Sequence, residues 1–197
     1  FVMATAVCVL NSCHAFCQKI VESKLESATL EADSIIENDP RIFFRNVESL
    51  IVYYQGKIIF EKYYNGFNRD SLHRIQSQTK SIVALLTGIA IDNGFIKNEN
   101  ERVSRYFPEN FNGNDPLKST VTIRDLLTMS AGFEWEEMIS FNDPENDNAN
   151  MFRSNSWLAY ALNRPMECKP LTQFKYNSGC PLIVAGIIEK ASGMRLD

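Results

Sequence analysis

Hydrophobic and polar positions along the chain fall into a short series of recognisable runs. Leu50-Ile51-Val52-Tyr53-Tyr54 and Ile58-Ile59-Phe60-Glu61-Lys62-Tyr63-Tyr64 are rich in β-branched and aromatic residues. Gln55-Gly56-Lys57 lies between them and Asn65-Gly66 closes the second, a pattern that predicts a β-hairpin. Upstream, residues 18–36 space Ile20, Val21, Leu25, Leu30, Ile35 and Ile36 among Glu and Ser, which reads as a helix. From Ser77 to Asn93 the chain is apolar nearly all round, through Ile82, Val83, Leu85, Leu86, Ile89 and Ile91. That predicts a central helix needing cover on most sides, ended by Gly94.

The second half reads as mostly helical with long loops. Thr122 is a good N-cap for a helix over Val121–Met129, with Asp125 three residues on in a near capping box. Asn142 to Asn148 is acidic and amide-rich, and lacks the glycine and terminal glutamate of a calcium loop, so a solvated loop is expected. Ser154 or Asn155 is the expected cap of a helix over Trp157–Leu162. Pro165 to Tyr176 reads as a loop, and Pro181–Ala191 as a last helix ending at Ser192-Gly193. There is no internal repeat and no low-complexity segment.

Composition narrows the class. At 197 residues the chain can bury one core, and 45% hydrophobic with 22% charged residues is ordinary for a globular protein. A net charge of −4 with no cluster of Lys and Arg argues against a nucleic-acid partner. No apolar run reaches the length of a membrane span. The first ten residues are apolar and uncharged and start at Phe1, as in a secretory signal without its basic start. Three readings of that leader stay open: lipid attachment at Cys13, cleavage after Ala15, or a buried N-terminal helix or strand. The first two place the protein outside the cytoplasm, in the periplasm or cell envelope, with a membrane lipid anchor in the first case. The far end stops just after a helix, at Gly193-Met194-Arg195-Leu196-Asp197, so the sequence reads as truncated at both ends. The expected organisation is a leader over 1–17 and one domain over 18–197, with a helical region at about 95–165. Only Cys168 and Cys180 lie outside the leader, either as a disulfide or as two isolated thiols, and no Cys–His pair has metal-ligand spacing.

The candidate chemistry is Ser77-Gln78-Thr79-Lys80, at the start of the central helix. A Ser and a Lys three apart share a helix face, and an amine within reach can activate a hydroxyl that is otherwise a poor nucleophile. The same pattern also describes an N-cap serine beside a solvated lysine, and one match is expected by chance in about every chain of this length. The rest of the chain adds three stretches in matching order and spacing. They are the hairpin Leu50–Tyr64, Thr122-Ile123-Arg124-Asp125-Leu126-Leu127-Thr128-Met129-Ser130-Ala131-Gly132, and Phe174-Lys175-Tyr176-Asn177-Ser178-Gly179 with its helix to Gly193. With these, residues 45–195 resemble the serine β-lactamase and D,D-peptidase superfamily, in the branch of class C β-lactamases, related esterases and 6-aminohexanoate-dimer hydrolases.

That resemblance implies an α/β fold with an antiparallel sheet packed by helices, incomplete in this chain. It implies a serine hydrolase that forms an acyl-enzyme on a small amide or ester and needs no metal or organic cofactor. Ser77 would be the nucleophile, Lys80 its base, and Tyr176 a proton relay. Burial and the positive end of the helix would both favour a neutral Lys80 amine. The chain departs from the family twice. Tyr176-Asn177-Ser178 stands in place of Tyr-x-Asn, so Ser178, with Asn177 beside it, takes the substrate-binding position with fewer donors. This fits an amidase or esterase better than an efficient β-lactamase. No Lys-Thr-Gly or His-x-Gly triplet follows Gly179. The rival readings are a penicillin-binding or sensor protein that stays acylated, and an inactive relic.

Overall fold

The hairpin forms because two β-branched, aromatic runs flank a two-residue turn that only certain residues can make. Strand β1 (Ser49–Tyr54) pairs antiparallel with β2 (Lys57–Tyr63). Gln55 and Gly56 both have positive φ, 47° and 82°, as the favoured tight hairpin turn requires. Val52 pairs with Phe60 but Tyr53 with Ile58, so Ile59 bulges and adds local twist. These coordinates are a computed structural model that describes residues 2–38, 46–111, 113 and 115–196, with side chains from residue 19 onward except that of residue 20. Among the described residues the sheet has two strands.

The chain divides into two compact units, Phe1–Arg74 and Ile75–Asp197. In the first, helix α1 (Val2–Asn38) runs through both the apolar leader and the helix predicted over 18–36. The leader side chains, Cys13 among them, lie outside the described residues. No helix is long and apolar enough to cross a membrane among the described residues. The hairpin is tied to α1 by polar contacts. Tyr64 donates its hydroxyl hydrogen to Asp33 at 2.7 Å, and Lys62 lies 2.8 Å from both Asp33 and Glu37. The Lys62 and Tyr64 hydrogen bonds hold the Asp33 carboxyl below its ordinary value.

The second unit is helical: α2 (Gln78–Asp92), α3 (Pro108–Phe111), α4 (Ile123–Leu127), α5 (Asp147–Arg153), α6 (Trp157–Leu162) and α7 (Gly179–Ser192). Helix α7 is the hub. Its Ile183, Val184 and Ile187 are fully buried, and it packs on α2, α4 and α6. Burying each such aliphatic side chain is worth about 1.5–3 kcal/mol, so α7 anchors the unit. Phe107, Phe111, Phe133 and Trp135 complete the core around it. Lys118 is buried there with its ammonium 5.2 and 5.9 Å from the centres of the Phe111 and Phe133 rings, and it donates to the Leu162 and Arg164 carbonyls at 2.7 and 2.9 Å. Burial pushes its pKa down, against the opposing charge of Asp115.

Helix α2 buries Val83, Thr87 and Ala90, while Ile82, Leu85 and Ile89 are 44%, 69% and 55% exposed, so one flank of it is open. Two expectations are corrected. The acidic segment is not a solvated loop at its end. Asn146 is buried and caps α5 by accepting from the Ala149 amide, and Asp147 is buried as well. Asp147 accepts from the Glu136 amide at 2.8 Å and the Tyr160 hydroxyl at 2.6 Å, and pairs with Arg164 at 3.1 Å. The cap of α6 is Ser156, which accepts from Ala159, and not Ser154 or Asn155. The Thr122–Asp125 capping box is present in full. Cys168 and Cys180 are both free thiols.

Candidate active site

The site starts at the N-terminus of α2. Gln76 takes a left-handed conformation, φ 47°, and turns the chain into the helix just before Ser77. For a residue other than glycine this costs roughly 1–3 kcal/mol of local strain, which the surrounding packing has to hold. Ser77 occupies the N-cap position, but its side chain makes no capping hydrogen bond. Its hydroxyl engages two other groups. The Tyr176 hydroxyl donates to Ser77 Oγ at 2.7 Å. Lys80 Nζ lies one turn along α2, 3.2 Å from Ser77 Oγ and 3.2 Å from Ser178 Oγ. The Lys80 ammonium also sits over the Tyr176 ring, 4.9 Å from its centre. Lys80 is therefore half-buried and engaged, unlike a solvated surface lysine.

Tyr176 and Ser178 reach α2 because the long loop before them is pinned. The amide of Glu167 donates to the Gly132 carbonyl at 2.8 Å, that of Leu171 to Ser130 at 2.8 Å, and that of Lys175 to Met129 at 2.9 Å. Gly132 is required for this. Its φ is 81°, and a Cβ there would lie 2.3 Å from the Cys168 carbonyl oxygen. Asn177 is buried, and its Oδ1 accepts from the amides of Gly179 and Cys180 at 2.7 and 3.1 Å. It thus caps α7 in place of Ser178, and it does not line the cavity at Ser77. Gly179 follows because a Cβ there would meet Ala161 and Trp135 at 3.0 and 3.1 Å.

Freed from capping, the Ser178 hydroxyl donates to Glu137 Oε1 at 2.9 Å. Glu137 Oε2 accepts from the Ser178 amide at 2.8 Å and the Trp135 indole at 2.6 Å. Glu137 escaped the sequence reading: it belongs to no motif, and only the approach of the α7 N-terminus brings Ser178 to it. Its charge reaches the neighbouring Cys180. Burial, and then Glu137, push that thiol up, which leaves it a protonated, inert core residue.

Beside Ser77 opens a cavity of about 330 Å³. Its walls combine Val83 of α2, Met151 and Phe152 of α5, Trp157 of α6, and Leu182 and Ala185 of α7, with Lys80 and Ser178 at the polar side. Phe152 and Trp157 pack edge to face, with ring centres 4.7 Å apart. Asn148 also lines the cavity, and its Oδ1 is the buried side-chain oxygen without a hydrogen-bond partner among the described residues.

The fold agrees with comparison to known proteins. Residues 45–197 match the Beta-lactamase family, and the chain belongs to it. Solved structures of similar fold include EstCE1, a hydrolase with promiscuous acyltransferase activity, at 18% identity and a TM-score of 0.65 over 90% of this chain and 49% of that one. A Bacillus anthracis protein assigned as a 6-aminohexanoate-dimer hydrolase matches at 20% identity and a TM-score of 0.61, over 75% of this chain and 40% of its own. The octameric penicillin-binding protein homologue from Pyrococcus abyssi matches at 23% identity and a TM-score of 0.57, over 88% and 40%. The chain thus spans less than half the length of these structures. The α/β class, with a small antiparallel sheet and packed helices, is that of the family.

Proposed function

We propose that the protein is a serine hydrolase that forms an acyl-enzyme on Ser77 and releases it to water, acting on a small ester or amide. The observation that carries this reading is the convergence on Ser77 Oγ of Lys80 Nζ at 3.2 Å and the Tyr176 hydroxyl at 2.7 Å. In the acylation step Ser77 Oγ attacks the substrate carbonyl carbon while its proton passes to Lys80 Nζ, the base. Tyr176 then passes a proton to the leaving alcohol or amine and is re-protonated from Lys80. Water attacks the acyl-enzyme by the same route in reverse, and Ser77 regains its proton. Negative charge developing at the carbonyl oxygen lies near the N-terminus of α2, whose dipole favours it. The apolar walls of the cavity suit a small hydrophobic group on the substrate. Family membership and the hydrolases among the structural neighbours support the reading.

Ser77→Ala in the full-length protein tests it. Hydrolysis of a p-nitrophenyl ester should fall more than about a hundredfold with the fold intact by circular dichroism. Activity within a few-fold of the parent removes Ser77 as nucleophile. Stoichiometric labelling of Ser77 without turnover favours a protein that stays acylated over a hydrolase.

A further inference from the structure

We propose that Glu137 is a positioning residue that sets the direction of a hydrogen-bond relay running through Ser178 to Lys80; the proposal rests on the role given above to Ser77 and Lys80. An ionised carboxylate only accepts hydrogen bonds. Ser178 has one hydroxyl proton, and with Glu137 Oε1 2.9 Å away that proton is committed to Glu137. The Ser178 oxygen can then only accept from Lys80, 3.2 Å distant. Acting as the base, Lys80 donates to Ser178 and keeps a lone pair for the Ser77 proton. When Lys80 takes the Ser77 proton across their 3.2 Å contact, the bonds around it point one way: Tyr176 donates to Ser77, Lys80 to Ser178 and Ser178 to Glu137. Glu137 is itself held so that it cannot turn. Its other oxygen accepts from both the Ser178 amide and the Trp135 indole, at 2.8 and 2.6 Å.

This arrangement makes Glu137→Gln a defined perturbation. The two N–H donors facing Oε2 hold the amide oxygen of Gln on their side. The amide NH2 then faces Ser178 Oγ and donates to it. The Ser178 proton must swing toward Lys80 and occupy the lone pair that Ser77 needs. The contacts that hold the start of α7 survive, but the relay is reversed.

The experiment is a double-mutant cycle on kcat/KM for a p-nitrophenyl ester, using the full-length protein. Glu137→Gln alone should lower kcat/KM at least about tenfold, the low side of what a positioned base contributes. In a Ser178→Val background, which has no hydroxyl to turn, the same change should cost less than about twofold. Equal cost in both backgrounds assigns Glu137 a purely structural role and overturns the proposal, as does no cost in the parent. If Glu137→Gln does not fold, the pair Ser178→Thr and Ser178→Val decides. Thr keeps the hydroxyl and should stay within a few-fold of the parent, whereas the near-isosteric Val should lose at least tenfold; equal rates overturn the relay. A parent without Ser77-dependent turnover is a different result: it removes the hydrolase reading and the relay with it.

Discussion

Replacing Asp147 with Ala should destabilise the helical unit by about 3–5 kcal/mol, although the residue lies in a stretch whose sequence suggests a solvated loop. Its side chain is 8% exposed and holds three partners. The Glu136 amide, in a part-buried bond, loses its acceptor, and a donor left without a partner costs roughly 1–3 kcal/mol. The Tyr160 hydroxyl and the Arg164 guanidinium lose theirs too, at about 1 kcal/mol each. The figure for Arg164 is kept small because its side chain is 22% exposed and water can reach it. At about 4 °C per kcal/mol for a unit of this size, the melting temperature should fall by about 12–20 °C. Thermal melts followed by circular dichroism measure this, with Glu145→Ala, an exposed neighbour, as a control expected within about 0.5 kcal/mol. Because α5 supplies Asn148 and Met151 to the cavity, KM should rise as well. A melting shift below about 3 °C, indistinguishable from Glu145→Ala, would refute the argument and return the segment to a solvated loop.

Lys80→Ala should lower ester hydrolysis nearly as far as Ser77→Ala, and Tyr176→Phe severely but less, since Lys80 or water can take part of the relay; a silent Tyr176→Phe beside a dead Lys80→Ala removes Tyr176 from the mechanism. Tyr106 and Tyr160 are pushed up to about 12, by burial first and then by hydrogen bonds to Glu101 and Asp147. A raised folded pKa gives stability that is complete below the ordinary value of 10 and is lost as pH rises toward 12, so denaturant midpoints should hold to pH 10 and then fall, more shallowly in a Tyr106→Phe/Tyr160→Phe double variant. A midpoint flat to pH 12 contradicts this. For the N-terminus we propose export: fractionation of the full-length protein in a bacterial host should find it processed and outside the cytoplasm. Cytoplasmic retention of an unprocessed chain contradicts export, and processing indifferent to Cys13→Ala excludes lipidation alone.

What the sequence made legible was local. The hairpin was readable because Gln55-Gly56 sits between two β-branched runs, and the box at Thr122 and Asp125 because its partners are three residues apart. Ser77, Lys80, Tyr176 and Ser178 could be named from short motifs, and they come together in space. Asn177, named with them, turns away to cap α7. The misreadings share a cause. Asn146 and Asp147 look like loop residues by composition, but Asp147 is held by Tyr160 and Arg164, and Asn146 donates to the carbonyls of Glu137, Ile139 and Ser140. Ser154, Asn155 and Ser156 are all competent caps, and the packing of α6 chooses the last. Glu137 carries no motif, since its partners meet it only in the folded unit.

The hydrogen bond between Tyr176 and Ser77 spans 99 residues of chain. Helices α2 and α7 can each begin to form from their own sequence, but this bond cannot exist until they dock. Closing so long a loop carries an entropic cost that the short turns within the unit do not. Non-local contacts of this kind tend to set the pace of folding and arrive late. In a refolding experiment, far-ultraviolet ellipticity would then recover ahead of the reactivity of Ser77. A partly synthesised chain still lacking α7 would hold the serine and its lysine side by side without the phenol, helical but chemically silent.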